Sequence, residues 1–592
     1  MSYRPSQDEV IGYFDSLSNW GRWGAEDQLG TLNLVTPERR RSAAALIREG
    51  ETVSCSKLIP HAPAALAGGN PIIDMVQSGE WLFPMVGGDL YQDKPPLFIW
   101  LIACAYALTG SLRLSFLLPS LLAGLGTLIL AYDLTRRLWN REAGLWAALA
   151  LLFTIQFTLQ AHLAQIDAVL CFLTTLSLYG LLRHLLLRNG WRWYVLGGFA
   201  AGLGVITKGV GFLPLLVLLP YAYARWRKWP LPELHATPAR WSAAAIAFAG
   251  AISLWLVPML LAVAFSDSPV LTAYRDEILF QQTVTRYATA WHHRQPFYYF
   301  FTVIVTMWLP LIVLVPWLLP RWMERLRESD ARILLLLGWV ALVLIFFSAS
   351  PGKRGVYILP ALPALAIASG EWLRGLWQRA DVQRAGMVFA LFIVFLSATA
   401  FAYLTWIAPE RAAELRDRYG VLHIEPLAAI AIAGAIAALA CGARRGVLAS
   451  AWVLGLAWLI VTFTVFPQIN ASRSGERFVT GLEKLADPAR ELGLLAYKEQ
   501  FLLYLDRPSV NFGHSRWREG PLESYDAARW LNSGVHRQLL VSEANLEPCF
   551  GGAAERIEVG NASRERWFLV SAPAAAECAA RGNDQSVRQY RP

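Results

Sequence analysis

Tyr91-Gln92-Asp93-Lys94-Pro95-Pro96 stands where the chain first turns from polar to continuously apolar sequence. The hexapeptide sets an aromatic ring, a carboxylate and an ammonium group beside two prolines. Proline stiffens the backbone and ends local helix, so these charges are predicted to lie on a defined turn. Charges at a membrane boundary are costly unless they have a partner or a task. The hexapeptide is therefore either an interfacial anchor or one wall of a site.

The composition around this turn is that of a membrane protein. Of the 592 residues, 55% are hydrophobic and only 16% are charged, whereas soluble globular proteins carry about 25% charged residues. Apolar runs near the length of a bilayer span recur after Leu97, which predicts an α-helical polytopic membrane protein. The net charge of +9 comes mostly from Lys and Arg in short loops between the runs. That pattern is positive-inside and does not indicate a nucleic-acid partner.

The apolar runs give a span count. Residues 97–109 are too few to cross comfortably and are predicted to form an interfacial helix. About twelve longer runs follow, and each is predicted to be a transmembrane helix. They lie at residues 113–135, 142–162, 168–186, 193–206, 209–224, 241–265, 298–320, 331–349, 356–374, 387–407, 427–441 and 447–466.

The loop charges give the sidedness. Arg-rich loops alternate with others along the chain, and the positive-inside rule assigns the Arg-rich ones to the cytoplasm. The hexapeptide and the tail after residue 466 then lie on the outer side. We predict four segments: a soluble N-terminal fragment (1–65), a periplasmic juxtamembrane loop with interfacial helices (66–112), the transmembrane domain (113–466) and a small periplasmic α/β domain (467–592).

The tail alternates helix-like and strand-like sequence, with strands predicted at 501–505, 538–541 and 567–570. Six cysteines are present, without a CxxC pair or a metal-like spacing. Cys549 and Cys578 both lie in the tail, and they could form a disulfide if the tail is outside the cytoplasm.

Polar groups converge on the predicted outer face from several loops. Lys and Arg bind phosphate oxygens through charge-assisted hydrogen bonds, so their convergence suits an anionic lipid phosphate. A nearby carboxylate could act as a general base, although Asp167 at a helix start could equally be a structural cap. His292 and His293 are adjacent and cannot easily share one ion, so no metal is predicted. The converging residues are Asp93, Lys94, Asp167, Lys208, Lys353, Arg354 and Tyr357.

Four motifs carry a family resemblance that runs from about residue 70 to residue 545. The early part, from Ser78-Gly79-Glu80-Trp81-Leu82 to Tyr91 through Trp100, resembles bacterial aminoarabinose transferases and protein mannosyltransferase-like enzymes of the GT-C superfamily. The later motifs are Ile166-Asp167-Ala168-Val169-Leu170, Ile206-Thr207-Lys208-Gly209 and Gly352-Lys353-Arg354 to Tyr357-Ile358-Leu359-Pro360.

This resemblance implies an inverting glycosyltransferase of the bacterial inner membrane. Such an enzyme moves a sugar from a polyprenyl-phosphate donor to lipid A, another glycan or a protein at the outer face, without a nucleotide sugar and without a cofactor. By the same resemblance Asp167 and Asp93 are the candidate catalytic carboxylates. The donor phosphate would be held by Lys94, Tyr91, Lys208, Lys353, Arg354 and Tyr357.

The chain departs from the family near its start. Where the family places an acidic pair at the end of a first span, this sequence has Ala64 and Ala65. Residues 1–60, including Trp23 to Asn33, instead resemble the N-terminal fragment of cyclase-family (kynurenine formamidase-like) proteins. We therefore expect a fused or rearranged transferase, which leaves an impaired enzyme or a non-catalytic remnant open. A transporter or flippase is the other alternative, although no internal repeat supports it.

Overall fold

The structure is a computed structural model of the chain. It describes residues 22–24, 27, 33–45, 71–87, 89–188, 190–234, 237–279, 294–514, 516–519, 521–553, 555–583 and 587–590. The chain divides into two units, Met1–Pro63 and Ala64–Pro592. In the first unit, helix α1 (Pro37–Ala44) begins after Thr36, whose Oγ1 accepts a hydrogen bond from the Arg39 N–H at 3.4 Å. Thr36 thus caps a helix that has proline in its first turn.

The second unit begins with the elements around the hexapeptide. Helix α2 (Pro71–Ser78) leads into a short hairpin of β1 (Met85–Val86) and β2 (Asp89–Leu90). The hexapeptide follows, and helix α3 (Leu97–Thr109) begins directly after its prolines. At 13 residues α3 is shorter than a bilayer span.

The apolar sequence that follows forms a bundle of helices, as the sequence predicts. Among the described residues, six helices are long and apolar enough to cross a membrane, or up to eight if each bent pair counts as one span. The chain is therefore a multi-pass helical membrane protein. The helices are α4 (Leu112–Leu138), α5 (Arg141–Leu152), α6 (Ile155–Ala161), α7 (Ile166–Leu187), α8 (Trp191–Lys208), α9 (Leu218–Trp226), α10 (Pro238–Ala264), α11 (Pro269–Asp276), α12 (Tyr299–Met307), α13 (Val315–Arg327), α14 (Ala331–Ala349), α15 (Ala361–Trp377), α16 (Ala380–Ala402), α17 (Pro409–Tyr419), α18 (Glu425–Cys441) and α19 (Gly446–Ile460).

Two runs that were predicted to be single spans are bent pairs. The run at 142–162 breaks between α5 and α6 with a bend of 73°, and the run at 298–320 breaks between α12 and Leu311 with a bend of 96°. Pro310 lies in the second break and cannot donate a backbone hydrogen bond. In the first break, Ile155 N–H donates to the Leu309 carbonyl at 2.9 Å, so the two breaks are joined. Irregular backbone at membrane depth is tolerated where it is buried in protein in this way.

Arg-rich loops gather at one end of the bundle. Arg374 at the end of α15 pairs with Glu142 at the start of α5. Arg332 at the start of α14 donates to the Leu138 carbonyl at 2.8 Å. These contacts join loops that the positive-inside rule assigns to the cytoplasmic side of the membrane. We call this the basic end of the bundle.

Glycines let three helices approach closely. A Cβ atom on Gly198 of α8 would lie 2.2 Å from the Ala244 carbonyl oxygen of α10, and one on Gly202 would lie 2.4 Å from that of Phe248. A Cβ atom on Gly180 of α7 would lie 2.5 Å from the Trp193 carbonyl oxygen of α8. Small residues at such contacts are how membrane helices pack without a hydrophobic driving force between them.

The tail folds around a six-stranded mixed sheet. Residues 538–541 and 567–570 lie in strands, as predicted. Residues 501–505 were also predicted to form a strand, but this apolar run forms turns instead. The predicted disulfide between Cys549 and Cys578 is present. The elements are α20 (Phe466–Arg473), α21 (Glu476–Leu485), β3 (Glu491–Leu494), β4 (Ser509–Asn511), α22 (Leu522–Asn532), β5 (Arg537–Ser542), β6 (Glu555–Ala562), β7 (Glu565–Ser571), α23 (Ala576–Arg581) and β8 (Arg588–Tyr590). The strands lie in the sheet in the order β6-β7-β5-β3-β4-β8.

Replacing Gly198 by leucine should separate α8 from α10, because its Cβ has no room beside the Ala244 carbonyl. We expect a fall in the melting temperature of the detergent-solubilised protein. Gly250→Leu is the matched control in α10, because a Cβ there meets nothing within 4 Å. Equal melting temperatures for the two variants would contradict this account of the packing.

Candidate functional site

At the end of the bundle opposite the basic end, Asp167 and Lys208 form an ion pair. Asp167 lies in the first turn of α7, and Lys208 is the last residue of α8, which ends at Gly209 with φ 66°. Their side chains are 9% and 13% exposed, respectively. The Lys208 ammonium also lies 4.9 Å from the centre of the Tyr357 ring, within range of a cation–π interaction. The structure therefore brings three of the predicted site residues together.

The pairing bears on the alternative that Asp167 is only a helix cap. A carboxylate in the first helical turn does complement the helix dipole. Here, however, the same carboxylate accepts a charge-assisted hydrogen bond from a lysine 41 residues away. Since both charges are largely removed from solvent, each is needed to offset the burial of the other.

Tyr357 is held in place by a chain of hydrogen bonds. The Gln156 side-chain amide in α6 donates to the Gly355 carbonyl at 2.7 Å, and its oxygen accepts from the Trp308 indole N–H at 2.6 Å. Gly355 begins the 3-10 turn Gly355–Ile358, which carries Tyr357. The bends of both broken helix pairs thus position the ring that faces Lys208.

Lys353 and Arg354 are placed differently from the other predicted phosphate ligands. Lys353 is only 4% exposed, and its ammonium donates to the Ser350 carbonyl at 2.6 Å and to the Gln295 carbonyl at 3.1 Å. An ammonium has three protons, so at least two are used to hold this loop together. The Arg354 side chain is exposed. Lys353 therefore positions the loop that leads to Tyr357.

The hexapeptide lies beside this site through apolar contacts. Leu97 and Phe98, which follow it, pack against a cluster containing Val169, two residues after Asp167. Leu90, which precedes it, belongs to one core cluster with Ile206, two residues before Lys208. Both sides of the hexapeptide are thereby fixed to the helices that carry the buried ion pair.

Within the hexapeptide, hydrogen bonds to backbone carbonyl groups fix the positions of Tyr91 and Lys94. Tyr91 N–H donates to the Pro84 carbonyl at 2.8 Å, and the Lys94 ammonium donates to the Asp93 carbonyl at 2.9 Å. The Asp93 carboxylate points instead toward the tail. It lies with Glu499 and His514, and the ligand atoms of the three all lie within 4.8 Å of one another.

The hairpin before the hexapeptide is docked onto the tail. The Asn511 amide donates to the Gly87 carbonyl at 2.9 Å, and a Cβ on Gly87 would lie 2.1 Å from the Tyr497 hydroxyl oxygen. The Asp89 carboxylate accepts from the His514 backbone N–H at 2.7 Å and from the Arg588 side chain at 3.2 Å. Burial raises the pKa of the Tyr497 hydroxyl, so that hydroxyl is neutral at this junction.

Asp93, Glu499 and His514 have the donor atoms that a divalent cation would take. Burial lowers the pKa of His514, but the nearby carboxylates of Glu499, Asp93 and Asp89 outweigh it and raise the pKa overall. His514 Nε2 lies 3.3 Å from a Glu499 carboxylate oxygen. The three side chains can therefore either form an imidazolium–carboxylate cluster or hold a cation, and the predicted absence of a metal stays a prediction.

Sequence reasoning missed Glu499 and His514. Each follows one of the two parallel strands β3 and β4, and ligands in open α/β sheets bind beyond the carboxyl ends of such strands. That rule could have indicated them. Of the other predicted features, His292, His293, Ala64 and Ala65 lie outside the described residues.

Comparison with known proteins gives a family match and several relatives. Residues 93–256 match the family model described as Dolichyl-phosphate-mannose-protein mannosyltransferase. The chain is 34% identical over 310 residues to undecaprenyl phosphate-alpha-4-amino-4-deoxy-L-arabinose arabinosyl transferase 1 of Pseudomonas fluorescens, which covers 51% of this chain and 53% of that protein. It is 32% identical over 347 residues to the transferase of that name from Pseudomonas aeruginosa strain LESB58, which covers 56% and 59%. The chain thus spans little more than half the length of the curated relatives it matches.

The fold similarity extends further. The crystal structure of ArnT from Cupriavidus metallidurans in the apo state superposes with a TM-score of 0.66 at 20% identity, covering 84% of this chain and 92% of that one. The chain has the ArnT fold. The same protein bound to undecaprenyl phosphate gives a TM-score of 0.63 at 20% identity, covering 87% and 95%. The predicted resemblance to GT-C glycosyltransferases is therefore confirmed; the cyclase-like resemblance of residues 1–60 stays a prediction.

The raised pKa of His514 makes its contribution to stability depend on pH. A raised folded-state pKa stabilises the protein below the unfolded value of 6.5, and this stabilisation is lost as the pH rises through the folded value. In a double-mutant cycle of His514→Asn with Glu499→Gln, we expect a coupling of about 0.5–1 kcal/mol near pH 5, because Glu499 is half exposed. The coupling should fade above neutral pH in melting experiments.

The same double-mutant cycle distinguishes a bound cation from an imidazolium–carboxylate cluster. A metal needs neutral imidazole, so stabilisation by added Zn²⁺ would grow with pH instead of fading. A coupling that is flat from pH 5 to pH 9, with and without Zn²⁺, would contradict both descriptions of the cluster.

Proposed function

We propose that this chain is a glycosyltransferase that moves a sugar from a polyprenyl-phosphate donor to lipid A, another glycan or a protein. The observation that carries the proposal is the buried Asp167–Lys208 pair facing Tyr357, at the end of the bundle away from the Arg-rich loops. A phosphate that reaches this pair meets an ammonium already desolvated and oriented. Such preorganised charge favours a transition state in which negative charge develops on a leaving phosphate.

In the proposed reaction the bond between the sugar anomeric carbon and the phosphate oxygen breaks. Its electron pair goes to the polyprenyl phosphate, whose charge Lys208 and Lys94 offset. An acceptor oxygen attacks from the opposite face of the sugar, which inverts the configuration. If the acceptor is a hydroxyl, Asp167 takes its proton once the phosphate has drawn Lys208 away from the carboxylate. Asp93 shapes the site through the turn that carries Lys94.

The donor we propose is an aminopentose on a polyprenyl phosphate. Its support is the name of the similar Pseudomonas enzymes, which are undecaprenyl phosphate-aminoarabinose transferases. The ArnT structure with undecaprenyl phosphate is of a protein with the same fold. No cofactor is proposed. The comparisons favour transfer over the transporter and flippase alternatives.

We further propose that the bundle makes about twelve crossings when the shorter apolar helices are counted, and that the tail lies in the periplasm. The four predicted segments, with boundaries after residues 65, 112 and 466, are part of this proposal. The disulfide between Cys549 and Cys578 supports it, because disulfides persist in the oxidising periplasm and are rare in the cytosol. The gathering of the Arg-rich loops at the other end supports the same orientation.

Asp167→Asn should abolish most transfer while leaving donor entry intact. With labelled undecaprenyl-phosphate aminoarabinose and lipid A, we expect a fall in rate of about 100-fold or more, comparable to the loss of one oriented transition-state group. Lys94→Met should reduce transfer too, through weaker binding of the donor phosphate. Lys484→Met is the control, because this lysine is exposed on α21 of the tail.

Stability must be separated from chemistry in this assay. Removing one partner of a buried ion pair leaves the other charge unpaired and destabilises the fold. The double variant Asp167→Asn with Lys208→Met removes both charges, so it should recover the melting temperature and remain inactive. Recovery of transfer together with stability would overturn the proposed roles of both residues.

A further inference from the structure

An apolar groove of about 480 Å³ lies between the main bundle and the outer helices α16 and α19. Ser450 is the polar exception in a lining otherwise made of apolar side chains and glycines. Its walls come from α5, the break before α13, α15, α16 and α19. Residues that define it are Trp146, Phe153, Trp377, Phe389, Trp452 and Gly455.

The groove separates two packed cores. Ala390, Ala449 and Val453 form a cluster of their own between α16 and α19, apart from the main core. Trp452 on the groove wall is 55% exposed, so the groove is open at the molecular surface. In a membrane such an opening faces lipid.

The dimensions match one leaflet. The lining on α19 runs from Val447 to Gly455, which is about 12 Å of helix at 1.5 Å per residue. The hydrocarbon of one leaflet is about 15 Å thick. The groove starts at the basic end, where α16 and α19 begin, and runs toward the middle of the bundle.

Three exposed arginines, which we call the rim arginines, lie close in sequence to residues that line the groove. Arg384 precedes the lining residue Ala385, and Arg444 and Arg445 come just before Val447. All three side chains are exposed.

Neighbouring Arg374 and Arg379 are ion-paired with Glu142 and Asp381, respectively. In the described part of the chain, no carboxylate pairs with the three rim arginines.

We propose that this groove is a binding site for an anionic phospholipid. One acyl chain fills the groove between the two cores, and the phosphate is held by Arg384, Arg444 and Arg445. Basic pockets between transmembrane helices on the cytoplasmic side hold such headgroups. The bound lipid completes the packing of α16 and α19 against the bundle. This inference is independent of the proposed transferase activity.

The test uses the full chain in detergent, with phosphatidylglycerol and phosphatidylcholine as probes. In native mass spectrometry, phosphatidylglycerol should bind at least about tenfold more tightly than phosphatidylcholine. The triple variant R384Q/R444Q/R445Q should lower that affinity to the phosphatidylcholine level. A matched variant, R225Q/R227Q/K228Q, removes three charges from another exposed basic loop and should leave the preference unchanged.

A second variant tests the groove itself. A Cβ on Gly455 meets nothing within 4 Å, so Gly455→Leu fills the groove without a clash in the fold. It should weaken binding of both lipids, whereas Gly250→Leu, equally free of contacts, should not. Equal binding of the two lipids by the unmodified chain, or equal losses in the two triple variants, would overturn the proposal. Displacement of phosphatidylglycerol by undecaprenyl phosphate would also overturn it, because the occupant would then be the donor lipid.

Discussion

The pairing of Asp167 with Lys208 is the constraint on which the rest of this end of the protein depends. Two opposite charges that are almost fully buried are tolerated only if they stay together, so the start of α7 and the end of α8 must meet. That requirement fixes where Lys208 points. The Tyr357 ring then closes over its ammonium, and Gln156 and Trp308 hold the turn that carries the ring.

The two breaks in the bundle serve this arrangement. The 73° bend at the first break changes the direction of α6, and with it the direction in which the Gln156 side chain leaves the helix. The bend after α5 lets Gln156 reach across to the loop, and the Ile155–Leu309 hydrogen bond ties it to the second bend. Broken helices at membrane depth occur where they line a cavity or are buried in protein.

Much of the fold follows from hydrophobic runs, because the length of a bilayer span is a strong constraint. Single residues at helix ends, such as Asp167 and Lys208, could also be predicted from their motifs. What the sequence could not give was pairing at long range. The phosphate-binding role of Lys353 stays a prediction. Its hydrogen bonds to the carbonyls of Gln295 and Ser350 could not be predicted, because backbone geometry of that kind leaves no mark in side-chain patterns.

Long-range contacts that the sequence does not predict are more extensive in the tail. Glu499 and His514 meet Asp93 across some four hundred residues, through a hairpin whose Gly87 lies too close to Tyr497 to carry a side chain. The hexapeptide is therefore fixed from two sides. Its apolar neighbours pack on the helices of the buried pair, and its carboxylate faces the tail. A turn held in this way cannot move without disturbing both. The state of the His514 cluster is thus coupled physically to the position of Lys94, although some four hundred residues separate the two in sequence.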